Sequence, residues 1–303
     1  MRLSIWPNPE RSFTDTLEIV RAAEAAGWHA AYVADHFMDN VAIGEPAPTP
    51  MLEATSTLVA LAQATSSIKV GTLVASATYR HPAVLANWAA TTHEVSQGRL
   101  LLGLGAGWQE NEHHEYGIEL GSIRTRVDRF EEYVAIVDDL LAGEVLTRSG
   151  DHYQLRGAHL APAPGRGAVP LLLGVKGERR TMAIAARHAQ IWNAWCTPAE
   201  LEHRNGVLDR HCAAIGRDPR TITRSTQAMV AVLDDPARAE QLRTALAGRP
   251  AVVGSAPQVL EQLLGYAEVG CDEFIVPCWI LGGTNEVLAT IETLTTEVLP
   301  HLG

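Results

Sequence analysis

Eight short apolar runs, alternating with stretches of helical spacing, constrain the fold of this chain more than any other feature. They are Leu3–Trp6, Ala30–Ala34, Ile68–Val74, Leu100–Leu104, Pro170–Leu173, Gln190–Ala194, Ile222–Leu233 and Asp272–Val276. Runs this brief read as buried strands rather than helices. Between them, Thr14–Ala26 is apolar-periodic and stops at Gly27, and a polar loop punctuated by Gly44, Pro46, Pro48 and Pro50 leads to a helix over Leu52–Ala64. Pro82 opens a helix running to Ser96, and Arg124–Leu141 lines up Val127, Phe130, Val134, Val137 and Leu141 at helical spacing. Another helix is expected over Pro198–Ile215. Helix end, glycine and strand recur around Gly27 and Gly270, a weak internal echo. Such alternation with short connections predicts a closed parallel barrel, an α/β (β/α)8 TIM-like fold, with an open doubly wound sheet as the alternative. Val145–Leu155 reads as a small hairpin insertion turning at Ser149–Asp151. The Pro/Gly-rich connector Ala161–Gly167 is the one place for a domain boundary. Alternation resumes beyond it, so residues 1–303 are expected to form a single domain.

Composition narrows the function classes. A net charge of −11 argues against nucleic acid as a partner. No apolar stretch approaches the roughly 20 residues of a membrane span, and Met1–Pro7 reads as a first strand rather than a signal peptide. Cys196, Cys212, Cys271 and Cys278 form no C-x-x-C pair, so free thiols in a reducing cytoplasm are expected.

In a barrel, the carboxyl ends of the strands meet at one mouth. There they bring Asp35 and His36, Val74 to Tyr79, Gly105-Ala106-Gly107-Trp108, Gly174-Val175-Lys176-Gly177, Asn193 to Trp195 and Val276 to Cys278. The mouth is rich in small residues and aromatics and poor in metal ligands. The glycines at 105 and 107 let another group approach the backbone. Trp108 stands where a dinucleotide fingerprint would need its third glycine. His36 either exchanges a proton at neutral pH or only hydrogen-bonds its own loop. Gly174–Gly177 before a helix is either an anion cradle, with Lys176 as a point charge, or a plain turn. Lys69 and Lys176 are the only lysines. His113 and His114 point about 100° apart on a helix, so a solvated or capping role is expected rather than a metal pair. Nothing marks Glu110 or Glu112 as reaching inward.

Together these residues resemble the luciferase-like monooxygenase superfamily, in its branch of deazaflavin (coenzyme F420)-dependent oxidoreductases. The resemblance rests on Ala34-Asp35-His36-Phe37, Arg80-His81-Pro82, Gly98–Trp108, Arg126–Glu132, Gly177–Thr181 and Asp209–Pro219, in that order over nearly the whole chain. It implies hydride transfer between F420 and a small organic substrate, with the ring in the mouth and His36 as the catalytic proton-transfer group. Asp35, Leu73, Val74, Ala75, Gly105, Ala106, Gly107, Trp108, Asn193 and Trp195 would line the cofactor, and Gly174, Val175, Lys176 and Gly177 would hold its phosphate. A non-prolyl cis peptide beneath the ring aligns to Leu73-Val74. The resemblance also implies a homodimer, and a separate F420 or flavin reductase as a possible partner. The sugar-phosphate dehydrogenase branch has a catalytic glutamate where this chain has Trp108, and a tryptophan near Asn40, so glucose-6-phosphate oxidation is not expected. Three other readings stand beside this one. The first is an FMN-dependent two-component monooxygenase of the same superfamily; the second is a barrel that binds a cofactor without catalysis. The third, a metal-dependent barrel hydrolase, would need ligand clusters that the strand ends lack.

Overall fold

The structure, a computed structural model, describes residues 1–303 except 48, 50 and 166. Pro48 and Pro50 of the proline-punctuated loop therefore lie outside the described residues.

Eight parallel strands close into a ring. They are β1 (Arg2–Trp6), β2 (Ala30–Val33), β3 (Lys69–Thr72), β4 (Leu100–Gly105), β5 (Leu171–Gly174), β6 (Ile191–Trp195), β7 (Thr223–Gln227) and β8 (Glu273–Pro277). Each pairs with the next, through Ile5↔Ala31, Ala31↔Val70, Val70↔Leu100, Gly103↔Leu172, Leu173↔Trp192, Asn193↔Ser225 and Thr226↔Phe274. Leu3↔Phe274 closes the barrel. A two-residue continuation of β3, Ala75–Ser76, rejoins β4 through Ala75↔Leu104 after the Leu73-Val74 peptide, which is cis.

Strand alternation sorts the side chains into two cores. Leu3, Ile5, Phe274 and Val276 point outward into the large core beneath the helices, with Phe130, Tyr133, Val134 and Val137 of the helix Ile123–Leu141. Trp6, Tyr32, Ala34, Leu73, Leu101, Leu172, Ile191 and Ile275 form a separate cluster inside the barrel. Low in that interior lies Glu273, fully buried, accepting from Ser4 Oγ at 2.5 Å and Tyr32 Oη at 3.0 Å. Burial pushes its carboxyl above the ordinary value. The echo around Gly27 and Gly270 is a shared helix stop. Both glycines take positive φ (75° and 86°), and the next residue donates back to the helix at Ala23 O and Tyr266 O.

One expectation changes. The run Ile222–Leu233 is not one strand: Thr223–Gln227 belongs to the barrel, whereas Met229–Val232 leaves it and pairs in parallel with Ala251–Gly254. These pieces cover a small core of their own (Met229, Ala231, Ala239, Leu246, Val253). The barrel wall needs only about five residues of each strand, and a continuous β pattern carries no mark of where the chain turns away. The hairpin is present as Leu146–Ser149 and Gln154–Ala158, so it is the first of two excursions from the ring.

Candidate active site

Asp35 and His36 leave the end of β2. The Asp35 carboxylate is buried and accepts both guanidinium nitrogens of Arg80, at 2.6 and 3.0 Å, together with the Ser76 N–H at 3.0 Å. Arg80 also donates to Glu53 at 2.6 Å, and Glu53 caps the helix Ala54–Ala64. Burial alone would raise the Glu53 carboxyl, but the Ser56 N–H and the Thr55, Ser56 and Arg80 side chains hold it at about 2. Asp35 is thus an anchor that ties β2, the start of the next helix and the continuation of β3 together.

His36 meets a partner absent from the sequence-based set of site residues. The Glu112 side chain is fully buried and accepts from His36 Nδ1 at 2.8 Å, from the Phe37 N–H at 2.9 Å and from the Tyr79 hydroxyl. Burial would raise the Glu112 carboxyl, yet its hydrogen bond and ion pair with His36, with help from Tyr79 and Phe37, bring it below the ordinary range. The Tyr79 hydroxyl is pushed upward, first by burial and then by Glu112. A carboxylate only accepts, so His36 must donate from Nδ1, which leaves Nε2 for other partners. The indole of Trp108, 56% exposed, stands edge-on to the imidazole with ring centroids 5.4 Å apart.

Glu112 lies on a short helix, Glu110–Glu115, directly after the glycines that end β4. That helix fastens the loop following His36. Gln109 Nε2 donates to Met38 O and Asn111 Nδ2 to Asp39 O, both at 2.8 Å. The expectation of a solvated or capping His113 is corrected. It is 2% exposed and donates from Nδ1 to Gln109 O at 2.6 Å, so Nε2 accepts from Thr78 Oγ1 at 2.7 Å. Its hydrogen-bonding capacity is used up inside the protein. One sequence signal for this arrangement exists: Gln109, Glu112 and His113 sit at i, i+3 and i+4, a polar stripe on one helix face.

The floor of the mouth is flat on one side. A Cβ at Gly105 would come within 2.5 Å of Val74 Cγ2, and one at Gly174 within 2.9 Å of Val74 Cγ1. The side chain of Val74 therefore fills the space that both glycines leave. Gly107 has φ +84°, and its carbonyl accepts from Arg126 at 2.9 Å. Ala75 and Ala106 pack into the outer core, and Leu73 into the inner one. Asn193 Nδ2 donates to the neighbouring strand β7, to Ser225 Oγ at 3.0 Å and Gln227 Oε1 at 2.8 Å, and Trp195 ends β6.

Gly174–Gly177 leads into the helix Thr181–His188. The Val175 side chain belongs to the outer core; only its backbone takes part in the loop, its N–H donating to Asn193 O and its carbonyl accepting from Trp192 Nε1. Gly177 N–H donates to Thr181 Oγ1 at 3.1 Å. Arg180 pairs with Asp128 and Glu131, and Arg204 donates to Lys176 O. Lys176 and Arg179 are exposed and have no carboxylate partner among the described residues. No group of three or more His, Cys, Asp or Glu placed to hold a metal occurs among the described residues, and no helix is long and apolar enough to cross a membrane.

An F420-dependent glucose-6-phosphate dehydrogenase of Microbacterium testaceum is 32% identical over 169 residues, covering 55% of this chain and 48% of that protein. An F420-dependent hydroxymycolic acid dehydrogenase of Mycobacterium tuberculosis is 29% identical over 220 residues, covering 72% of this chain and 59% of the relative. The chain thus spans about half the length of the curated relatives it matches. The coenzyme F420-dependent tetrahydromethanopterin reductase of Methanopyrus kandleri superposes with a TM-score of 0.81 at 17% identity, over 100% of this chain and 99% of the other. That likeness bears on the fold, and it agrees with the closed eight-stranded barrel. The luciferase-like monooxygenase family matches residues 1–250, more than four-fifths of the sequence and every barrel strand except β8, and the chain belongs to that family.

Proposed function

We propose that the mouth is the active site of an F420-dependent oxidoreductase acting on a small organic substrate, with His36 as its proton-transfer residue. The observation that carries this reading is the pairing of His36 with the ionised, buried Glu112 beside a flat floor. Such a floor fits a planar ring laid over Val74, because Gly105 and Gly174 contribute no side chain there. The unpaired Lys176 and Arg179 at the Gly174–Gly177 loop suit an anionic tail.

Bound F420 would supply the hydride acceptor or donor. The protein supplies orientation and a proton path. Neutral His36 accepts a proton at Nε2 while Nδ1–H stays on Glu112, and the carboxylate stabilises the imidazolium that results. In the reverse direction protonated His36 donates from Nε2 to a developing alkoxide or enolate. Trp108 packs edge-on against the His36 imidazole. The named relatives use F420, which favours the deazaflavin over a flavin.

Fluorescence titration of the purified protein with F420 and with FMN tests this reading. F420 should bind at least tenfold tighter, and His36→Ala should leave that affinity within a few fold while reducing turnover. Preferential FMN binding would instead place the chain among the flavin monooxygenases of the family.

A further inference from the structure

The top layer of the barrel interior is lopsided. On the side of β4 and β5 it holds Gly105, Gly174 and Val74. Around the rest of the rim stand three tryptophans, at or just beyond the ends of β1, β6 and β8. Trp6 and Trp279 have centroids 4.7 Å apart at 61°, Trp195 and Trp279 lie at 5.5 Å, and Trp6 and Trp195 at 6.1 Å. Trp6 is only 6% exposed, whereas Trp279, just beyond the carboxyl end of β8, is 38% exposed. The segments that carry them, Ile5–Pro9, Ala194–Thr197 and Pro277–Leu281, contain no Asp, Glu, Lys, Arg or His.

One polar atom is embedded in this wall. The Trp6 indole Nε1 is buried and has no hydrogen-bond partner among the described residues. A buried Trp N–H normally finds an acceptor. The two rings packed against it, Trp195 and Trp279, offer none, because an indole N–H only donates.

We infer that Trp6, Trp195 and Trp279 form the substrate-binding face of the mouth, and that it takes a flat, largely apolar molecule presenting a hydrogen-bond acceptor to Trp6 Nε1. A conjugated or aryl ketone meets each requirement. Its plane stacks on or against indole, and its carbonyl oxygen answers the orphaned N–H. A phosphorylated sugar has acceptor oxygens but is neither flat nor apolar, and the wall offers its phosphate no cation. The inference rests on the mouth being the active site proposed above.

Equilibrium dialysis of the full chain against 1-indanone and its carbonyl-free counterpart indane, with and without F420, provides the test. Indanone should bind about threefold to tenfold tighter than indane, the range expected for one neutral hydrogen bond. Trp6→Phe, which keeps an aromatic ring and removes the donor, should abolish that preference. Trp279→Ala, at a half-exposed ring, should weaken both ligands. Glucose 6-phosphate should displace neither. Equal binding of the two ligands to the wild type, a preference surviving in Trp6→Phe, or displacement by glucose 6-phosphate would each overturn the assignment. F420 titrated in parallel separates the two readings: a Trp6-dependent preference without F420 binding removes the cofactor assignment alone, whereas F420 binding without the preference removes the tryptophan wall alone.

Discussion

Glu112→Gln keeps the shape of the side chain and deletes its charge. Three donors converge on the carboxylate: His36 Nδ1, the Phe37 N–H and the Tyr79 hydroxyl. An amide has one accepting oxygen, and its other arm only donates. With the oxygen toward His36 and Tyr79, the Phe37 N–H faces an NH2 group. With the amide reversed, the imidazole must accept at Nδ1 and carry its proton on Nε2. Either arrangement loses a charge-assisted hydrogen bond, about 1.5–3 kcal/mol, and the first also strands a buried donor. A net loss of about 2–4 kcal/mol follows, which lowers the melting temperature by about 3–6 °C in a protein of this size. Two measurements check it without a known substrate. Calorimetry reads the melting temperature, and imidazole 15N NMR reads the tautomer, which should be Nδ1–H in the wild type and should lose that purity in the variant. F420 affinity should change by no more than a few fold. Unchanged melting together with an unchanged 15N pattern would refute the claim that Glu112 positions His36.

Other substitutions probe neighbouring parts of the same design. His36→Ala should lower turnover at saturating cofactor by about 10²–10⁴-fold, the usual span of general acid–base help, measured by steady-state kinetics once a substrate is found. Lys176→Ala should weaken F420 binding about 2–5-fold, more at low salt, with turnover at saturation preserved, because a contact far from the reacting atoms binds ground and transition states alike. Glu24 accepts the Ser66, Ser67 and Ile68 N–H groups, and although burial opposes it these bonds hold its carboxyl at about 2 against an ordinary 4.5. Its stabilisation is therefore present above pH 4.5 and is lost as pH falls toward 2. Glu24→Gln should cost about 1–2 kcal/mol at pH 7 after solvent screening, a gap in chemical denaturation that closes in acid. Glu273 is the opposite case. Its folded-state value is raised by burial, so its contribution is complete below the ordinary carboxyl range and is lost as pH rises. Glu273→Gln should gain on the wild type in thermal melts as pH increases.

The barrel was legible because its strands carry their own signature. Leu100–Leu104 is apolar on both faces, as a strand buried between lumen and helices must be, and Gly27 or Gly270 stops a helix by chemistry that a single residue displays. His36 stood out because a strand end locates it. Glu112 did not, for a physical reason: a buried carboxylate has no hydropathy signature, and its partners Tyr79 and His36 lie 33 and 76 positions away in the chain. Trp6 read simply as the last residue of a strand. That its Nε1 lacks an acceptor depends on what packs around it, which no local pattern encodes. The break at Ala228 was hidden for the converse reason, since both halves of the run are good strands that belong to different sheets.

Two carboxylates lie close to the end of β2, and their division of labour follows from which cation each meets. Asp35 is held by both nitrogens of Arg80, a guanidinium that stays charged at any physiological pH, so the cation it meets is permanent. Glu112 meets an imidazole instead, whose charge comes and goes with its proton. The negative charge that responds to His36 is therefore that of Glu112 alone. Exchanging the two partners would reverse the outcome: a guanidinium at Glu112 would leave His36 without a counter-charge, and an imidazole at Asp35 would make the anchor of β2 sensitive to pH. Arg80→His would test this division, since it makes the Asp35 anchor titratable. The variant should lose more stability than the wild type as pH rises through the histidine range. A variant whose melting follows the wild type across that range would show that Asp35 does not depend on a permanent cation.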